Sequence, residues 1–191
     1  MTKKEIIWRE ILHQSLEKKV FKFTQKAMAE KFHFSVSTVF NALRVPRQAG
    51  AIKVYGRFFE VVDSEKLLTI WATFRNLSKE IAYQTQVAMP VLKIIGQLSS
   101  DVILTGYAGY HRRFKDSPAD FDKVHVYTKN LEEIKKRFPQ SKGPVNLTVF
   151  TSDNYLPLYQ ELPLAQLYVD LWNLNDWQAK DFLKALAEKI F

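Results

Sequence analysis

Three observations on this sequence predict an α+β fold with two domains. The first sixty residues combine three amphipathic helical patterns with two short β-rich runs. The second half alternates apolar strands with helices, a pattern typical of a sheet covered by helices. The charge is also divided, because residues 1–60 hold 12 Lys and Arg against five Glu, whereas residues 61–191 hold 16 against 15 acidic side chains. We predict an N-terminal domain at 1–63, a connecting helix at 64–80 and an α/β effector domain at 81–191.

The composition excludes several classes of protein. Of the 191 residues, 47% are hydrophobic and 14% aromatic, which is typical of a packed globular chain. There is no cysteine, so disulfide frameworks, thiolate zinc sites and cysteine nucleophiles are excluded. No segment approaches the roughly 18 consecutive apolar residues of a membrane span. We expect a cytoplasmic protein with no membrane partner, and the absence of a Gly-rich phosphate loop predicts no cofactor.

Two helices are predicted at the start of the chain, of which the second is short. Ile7, Ile11 and Leu12 recur at helical spacing with Trp8 beside them, which predicts a first amphipathic helix over residues 4–17. A second helix follows in "FTQKAMAEKF", where Thr24 is a good N-cap and the apolar side chains lie on one side.

A third helix is predicted in "FHFSVSTVFNALR", with Ser35 as its N-cap. The i, i+3, i+4, i+7 spacing predicts four inward-facing side chains, namely Val36, Val39, Phe40 and Leu43. The opposite face then carries small or polar residues, namely Ser37, Thr38, Asn41 and Ala42, with Arg44 at its edge. Small hydroxyl and amide groups at the start of a helix can approach phosphates and hydrogen-bond to base edges. This pattern favours a recognition helix for DNA.

Two β-rich runs at 51–54 and 58–62, joined at Tyr55-Gly56, predict a hairpin after the third helix. Three helices and a hairpin make a winged helix, and "TQKAMAEKFHFSVSTVFNALRVPRQAGAIK" resembles the helix-turn-helix of winged-helix transcription regulators. We predict contacts with double-stranded DNA at an operator from nine residues: Ser35, Ser37, Thr38, Asn41 and Arg44 on the helix, and Arg47, Lys53, Tyr55 and Arg57 on or beside the wing. A homodimer on inverted half-sites fits this interpretation. Winged helices also serve as protein-interaction modules, and this alternative stays open.

The remaining elements follow from the same rules. Ser64 is predicted to cap a helix that links the two domains. Beyond it the pattern predicts, in order, a helix at 90–98, a strand at 102–105, a helix at 107–113, the strand "KVHVYT", the helix "NLEEIKKRF", the strand "VNLTVFT" and two C-terminal helices, the last capped by Asp176.

The stretch "TGYAGYHRRFKDSPADFDKVHVY" resembles the nucleotidyltransferase pattern, in which a Gly-Ser turn and an Asp-x-Asp pair hold triphosphate and metal. Asp120 and Asp122 have the spacing that would let one strand face share a cation. Tyr107 stands in place of the serine, and Asn146 in place of a third carboxylate. The pattern is degenerate, and the sequence predicts no catalytic residue and no enzyme. An active nucleotidyltransferase, with Asp120 and Asp122 binding magnesium, remains as an alternative to two loop aspartates.

The segment from "DKVHVYTKNLEEI" to "NDWQAKDFLKAL" is similar to the C-terminal half of the AbiEi family, the winged-helix antitoxins of type IV toxin-antitoxin systems. The residues that match the family's helix motif are Leu162, Pro163, Gln166, Tyr168, Asp170 and Leu171. The resemblance implies an antitoxin that represses its own operon and opposes a nucleotidyltransferase-like toxin encoded nearby. Gln166 and Asp170 lie one turn apart on one helix face, and we interpret them as residues that orient the helix in preference to contacting a partner.

Overall fold

A computed structural model describes all 191 residues and shows an α+β chain with nine α-helices and two small sheets. The chain divides into two compact units. The first holds residues 1–75, 163–169 and 190–191, and the second holds residues 76–162 and 170–189. No helix has both the length and the apolar character needed to cross a bilayer.

The first unit combines helices with a small three-stranded sheet. Its elements along the N-terminal segment are α1 (Lys3–Glu17), β1 (Lys22–Phe23), α2 (Gln25–Phe32), α3 (Val36–Gln48), β2 (Ile52–Val54), β3 (Phe59–Val61) and α4 (Ser64–Phe74). The three strands form an antiparallel sheet in the order β1-β3-β2. The predicted hairpin is confirmed by the antiparallel pairing of β2 with β3. The predicted caps are also confirmed, because the side-chain oxygens of Thr24 and Ser35 each accept the backbone N–H of the residue three positions later.

The core of this unit is built on α1. Ile7, Trp8, Ile11 and Leu12 are fully buried, as their spacing predicts. The Trp8 indole N–H donates a hydrogen bond to the carbonyl of Ala42 on α3 at 2.8 Å. This bond satisfies a donor that would otherwise be costly to bury, and it fixes α3 against α1.

A buried ion pair also joins α1 to the end of α4. The Arg75 guanidinium lies 3.2 Å from a carboxylate oxygen of Glu5. Burial alone would raise the pKa of Glu5, but hydrogen bonds from Thr2 and the charge of Arg75 outweigh it and lower the pKa. Glu5 and Thr2 form the capping box that starts α1.

Two details of this region differ from the prediction. Asp63, not Ser64, caps α4, because its carboxylate accepts the N–H of Lys66 at 2.8 Å. The helix predicted over 64–80 ends at Phe74, where Arg75 takes an extended conformation, and a short 3-10 turn follows at Leu77–Glu80. The buried side chains of α4 belong to the first unit, including Leu67 and Trp71.

The second unit is a mixed sheet with helices. Its elements are β4 (Ile81–Thr85), α5 (Val91–Gln97), β5 (Ile103–Thr105), α6 (Gly106–Phe114), β6 (Val124–Thr128), α7 (Leu131–Arg137) and β7 (Leu147–Thr151). The helix α8 (Leu164–Trp172) is divided between the two units. The helix α9 (Gln178–Ile190) belongs to the second unit except for its last residue. The strand order is β4-β7-β6-β5, in which β6 and β7 are parallel and both outer pairs are antiparallel.

The two central strands carry the core of this sheet. Val124 and Val126 of β6 are fully buried beside Leu147 and Val149 of β7, and they pair in register across the parallel ladder. Strands buried on both faces are expected at the centre of a sheet that helices cover. The edge strand β4 was missing from the sequence prediction, as was the two-residue strand β1.

Candidate nucleic-acid interface

The start of α3 is held by hydroxyl groups. The Ser35 Oγ accepts the backbone N–H of Thr38 at 3.2 Å. The same oxygen lies 2.9 Å from the Oγ of Ser37 and 2.8 Å from the Oγ1 of Thr38. Ser35 and Ser37 are exposed, and Thr38 is half-buried. The structure brings three predicted site hydroxyls together, and that of Ser35 is committed to capping the helix.

The outer face of α3 combines polar and basic side chains. Ser37, Asn41 and Arg44 are exposed at positions i, i+4 and i+7, which lie along one face of a helix. Arg47 is exposed in the last turn of the same helix. The helix contains no acidic residue. A face of this kind offers hydrogen-bond donors and positive charge to a neighbouring polyanion.

The predicted inward stripe of α3 is wrong at three positions. Val36 and Phe40 were expected in the core but are 50% and 49% exposed, whereas Ala42 was expected outside and is 2% exposed. The buried stripe is Val39, Ala42, Leu43 and Pro46, which has the same i, i+3, i+4, i+7 spacing moved by three residues. The cause is α1, whose Trp8 approaches the backbone of Ala42 closely, and a small side chain is needed there.

The turn of the hairpin lies beside the start of α3. Tyr55, Gly56 and Arg57 line one open groove of about 270 Å³. The other lining residues include Val36, the α2 cap Thr24 and the first two residues of α2, Gln25 and Lys26. The turn is closed by the Tyr55 N–H, which donates to the carbonyl of Phe58 at 2.8 Å. The rings of Tyr55 and Phe58 stack with centroids 4.6 Å apart. The three residues Thr24, Gln25 and Lys26 carried no signal in the sequence beyond the helix cap.

The charged side chains of residues 31–59 are all basic. Residues 31–59 contain no Asp or Glu. Four exposed cations in this range form no ion pair within 4 Å, namely Arg44, Arg47, Lys53 and Arg57. Lys53 pairs in register with Glu60 on β3, so a carboxylate partly offsets its charge. The three arginines are the cations best placed to bind an external anion.

The nucleotidyltransferase pattern of the second unit does not assemble on a strand. Asp120 and Asp122 are exposed in the loop that precedes β6. Asn146 donates its side-chain N–H to the carbonyl of Val87 at 2.9 Å and accepts the Val87 N–H at 2.8 Å, so it organises a loop. No group of three or more His, Asp or Glu side chains is arranged to hold a metal ion.

A polar cluster lies near the start of β6. The Asp176 carboxylate, predicted as a helix cap, accepts a hydrogen bond from the Tyr107 hydroxyl at 3.1 Å and another from the Lys123 ammonium. Burial, with the charge of Asp176, raises the pKa of Tyr107. Burial lowers the pKa of His125 to about 4, and its Nδ1 has no hydrogen-bond partner.

Gln166 and Asp170 of α8 are fully buried, and each makes contacts within its own unit. In the first unit, the Gln166 side-chain oxygen lies 3.5 Å from the Arg9 guanidinium of α1. In the second, the Asp170 carboxylate accepts hydrogen bonds from the Thr105 hydroxyl at 2.7 Å and from the Tyr127 hydroxyl at 2.9 Å. These contacts agree with the interpretation that Gln166 and Asp170 orient the helix.

Comparison of the chain with protein-family models, with curated proteins and with solved structures finds no significant match.

Proposed function

We propose that the first unit is a winged-helix DNA-binding domain and that the protein is a sequence-specific transcriptional regulator. The order of elements supports this, because a short strand lies between the first two helices and a hairpin follows the third. In winged helices the third helix enters the major groove and the hairpin turn reaches the neighbouring backbone or minor groove.

The observation that carries the proposal is the set of three exposed arginines without acidic partners in residues 31–59, namely Arg44, Arg47 and Arg57. A protein surface that exposes three arginines without acidic partners gains free energy by releasing counterions from DNA. Ser37, Asn41 and Arg44 have the donors and acceptors to reach base edges from α3. Arg47 and Arg57 then bind phosphates beside the groove.

The test is binding to a labelled duplex that spans the upstream region of the protein's own gene, with scrambled duplex as competitor and a salt titration. We expect Arg44→Ala, Arg47→Ala and Arg57→Ala together to weaken binding about 1000-fold, roughly ten-fold for each side chain. The slope of log K against log salt should become shallower by about 0.9 for each phosphate that the variant no longer neutralises.

The matched control removes the same number of charges from the second unit, through Lys129→Ala, Lys142→Ala and Lys180→Ala. All three lysines are exposed. The control should keep most of the wild-type affinity, because only local charges replace counterions at the bound phosphates. Equal losses of affinity in both triple variants would show non-specific attraction, and a wild type that binds no duplex would point to a protein-interaction module.

We further propose that the regulator is antitoxin-like and controls its own operon. This part is supported by the resemblance of residues 162–171 to the AbiEi helix motif. The toxin would be a nucleotidyltransferase-like protein encoded next to this gene. Co-expression of the neighbouring reading frame with and without this chain tests it: growth arrest that the chain does not relieve would refute the antitoxin role and leave DNA binding unaffected.

A further inference from the structure

We infer that Phe40 reads thymine methyl groups in the major groove, an inference that rests on the proposed DNA-binding function. Phe40 is half-exposed in the middle of α3. It lies three residues after Ser37 and four before Arg44, so all three side chains project from adjacent turns of one helix face. A side chain between two groups that approach the bases is itself directed at the bases.

About half of the Phe40 side chain is exposed, and its ring makes no ring–ring or cation–π contact within the protein. Two other exposed aromatic side chains of this unit do have ring partners: Phe74 meets Trp8 edge-on at 5.7 Å, and Tyr55 stacks on Phe58. Phe40 stacks on no ring and no cation lies over it. Its exposed apolar surface is therefore available to a ligand.

The surrounding charge identifies that ligand. Arg44 and Arg47 follow Phe40 on α3 at i+4 and i+7, and residues 31–59 offer no carboxylate to an approaching cation or basic protein surface. A polyanion with an apolar group on its surface fits this face. In the major groove the only such group is the C5-methyl of thymine, and apolar side chains including Phe contact it in known recognition helices.

The sequence of the operator should therefore contain a thymine under Phe40. Cytosine at that position lacks the methyl group, and uracil differs from thymine by the methyl group alone. Replacement of single thymines by deoxyuridine isolates this interaction without changing base pairing.

The experiment starts from the operator footprint and replaces each thymine in turn by deoxyuridine. At one position in each half-site we expect wild-type affinity to fall about four-fold, the value of one buried methyl group. Phe40→Ala should bind the thymine and deoxyuridine duplexes equally, and Phe40→Leu should keep part of the difference. Val62→Ala, which trims an exposed apolar side chain elsewhere in this unit, should discriminate as the wild type does.

Three results would overturn the inference while leaving the proposed function intact. The first is a wild type that binds every deoxyuridine duplex as tightly as the thymine duplex. The second is a Phe40→Ala protein that still discriminates. The third is a Phe40→Ala protein that changes from dimer to monomer in sedimentation, which would assign the ring to contact with a second copy. A wild type that binds no duplex at all would overturn both the inference and the proposed function.

Discussion

Most polar side chains are exposed in residues 31–59 of the first unit but buried around β6 of the second. In the first region Asn41, Arg44 and Arg57 are exposed and the arginines have no acidic partner. In the second, Asp170 and Tyr127 are fully buried and hydrogen-bonded to each other. Buried polar groups that satisfy one another stabilise the fold, whereas exposed groups without partners are free to bind a ligand. The difference separates residues that maintain structure from candidates for function.

The largest effect on stability is expected at Asp170. Asp170→Ala removes the acceptor of two buried hydroxyl hydrogen bonds, from Thr105 and Tyr127. We expect the free energy of unfolding to fall by roughly 4 kcal/mol, since each hydrogen bond removed from the interior costs about 1–3 kcal/mol. Urea unfolding followed by circular dichroism measures this change.

Asp120→Ala and Asp122→Ala are the matched controls, because each removes a carboxylate from an exposed loop of the same unit. Both should remain within about 0.5 kcal/mol of the wild type. A loss of stability at Asp120 as large as that at Asp170 would contradict the division between structural and unpaired polar groups.

A second prediction concerns acid stability and His125. The pKa of this histidine is lowered from 6.5 to about 4, mainly by burial; the charge of Asp176 opposes the shift and that of Lys123 adds to it. Between these values the unfolded chain binds a proton that the folded chain does not. The contribution of neutral His125 to the free energy of unfolding is therefore fully present above pH 6.5. It falls by up to about 3 kcal/mol as the pH decreases to 4.

The measurement is the free energy of unfolding of the wild type and of His125→Phe at intervals between pH 7 and pH 4. Carboxylates contribute equally to both proteins, so the difference between the two curves reports His125. We expect the phenylalanine protein to lose about 3 kcal/mol less over this range. Parallel curves would show that His125 is protonated inside the folded unit.

The sequence predicted most helices and the central strands of this fold. Helix α1 was predictable because Ile7, Ile11 and Leu12 recur at helical spacing, and β6 because it is a short run rich in β-branched and aromatic residues. Strand β1 was missed because it is only two residues long. Strand β4 was missed because only Thr85 of its five residues is buried, so it lacks the apolar alternation of a half-buried strand.

The outward polar residues of α3 were predicted correctly, but its inward apolar stripe was not. Ser37, Asn41 and Arg44 lie on the outer face of α3 as expected. The periodicity wrongly places Phe40 in the core because two apolar stripes of equal spacing overlap on this helix. Only the contact of Trp8 with Ala42, 34 residues apart in sequence, decides between them. A long-range contact of this kind is absent from local periodicity.

The smallest expected effect, at Ser35, tests whether the start of α3 faces DNA. Ser35→Ala removes the N-cap and should lower the free energy of unfolding by about 1 kcal/mol. Ser35→Asp keeps a capping oxygen and should restore wild-type stability, but it places a negative charge where we expect a phosphate. Its affinity for the operator should fall below that of Ser35→Ala, because repulsion acts on DNA alone. Equal DNA affinities for Ser35→Asp and the wild type would mean that this end of α3 faces away from the bound duplex.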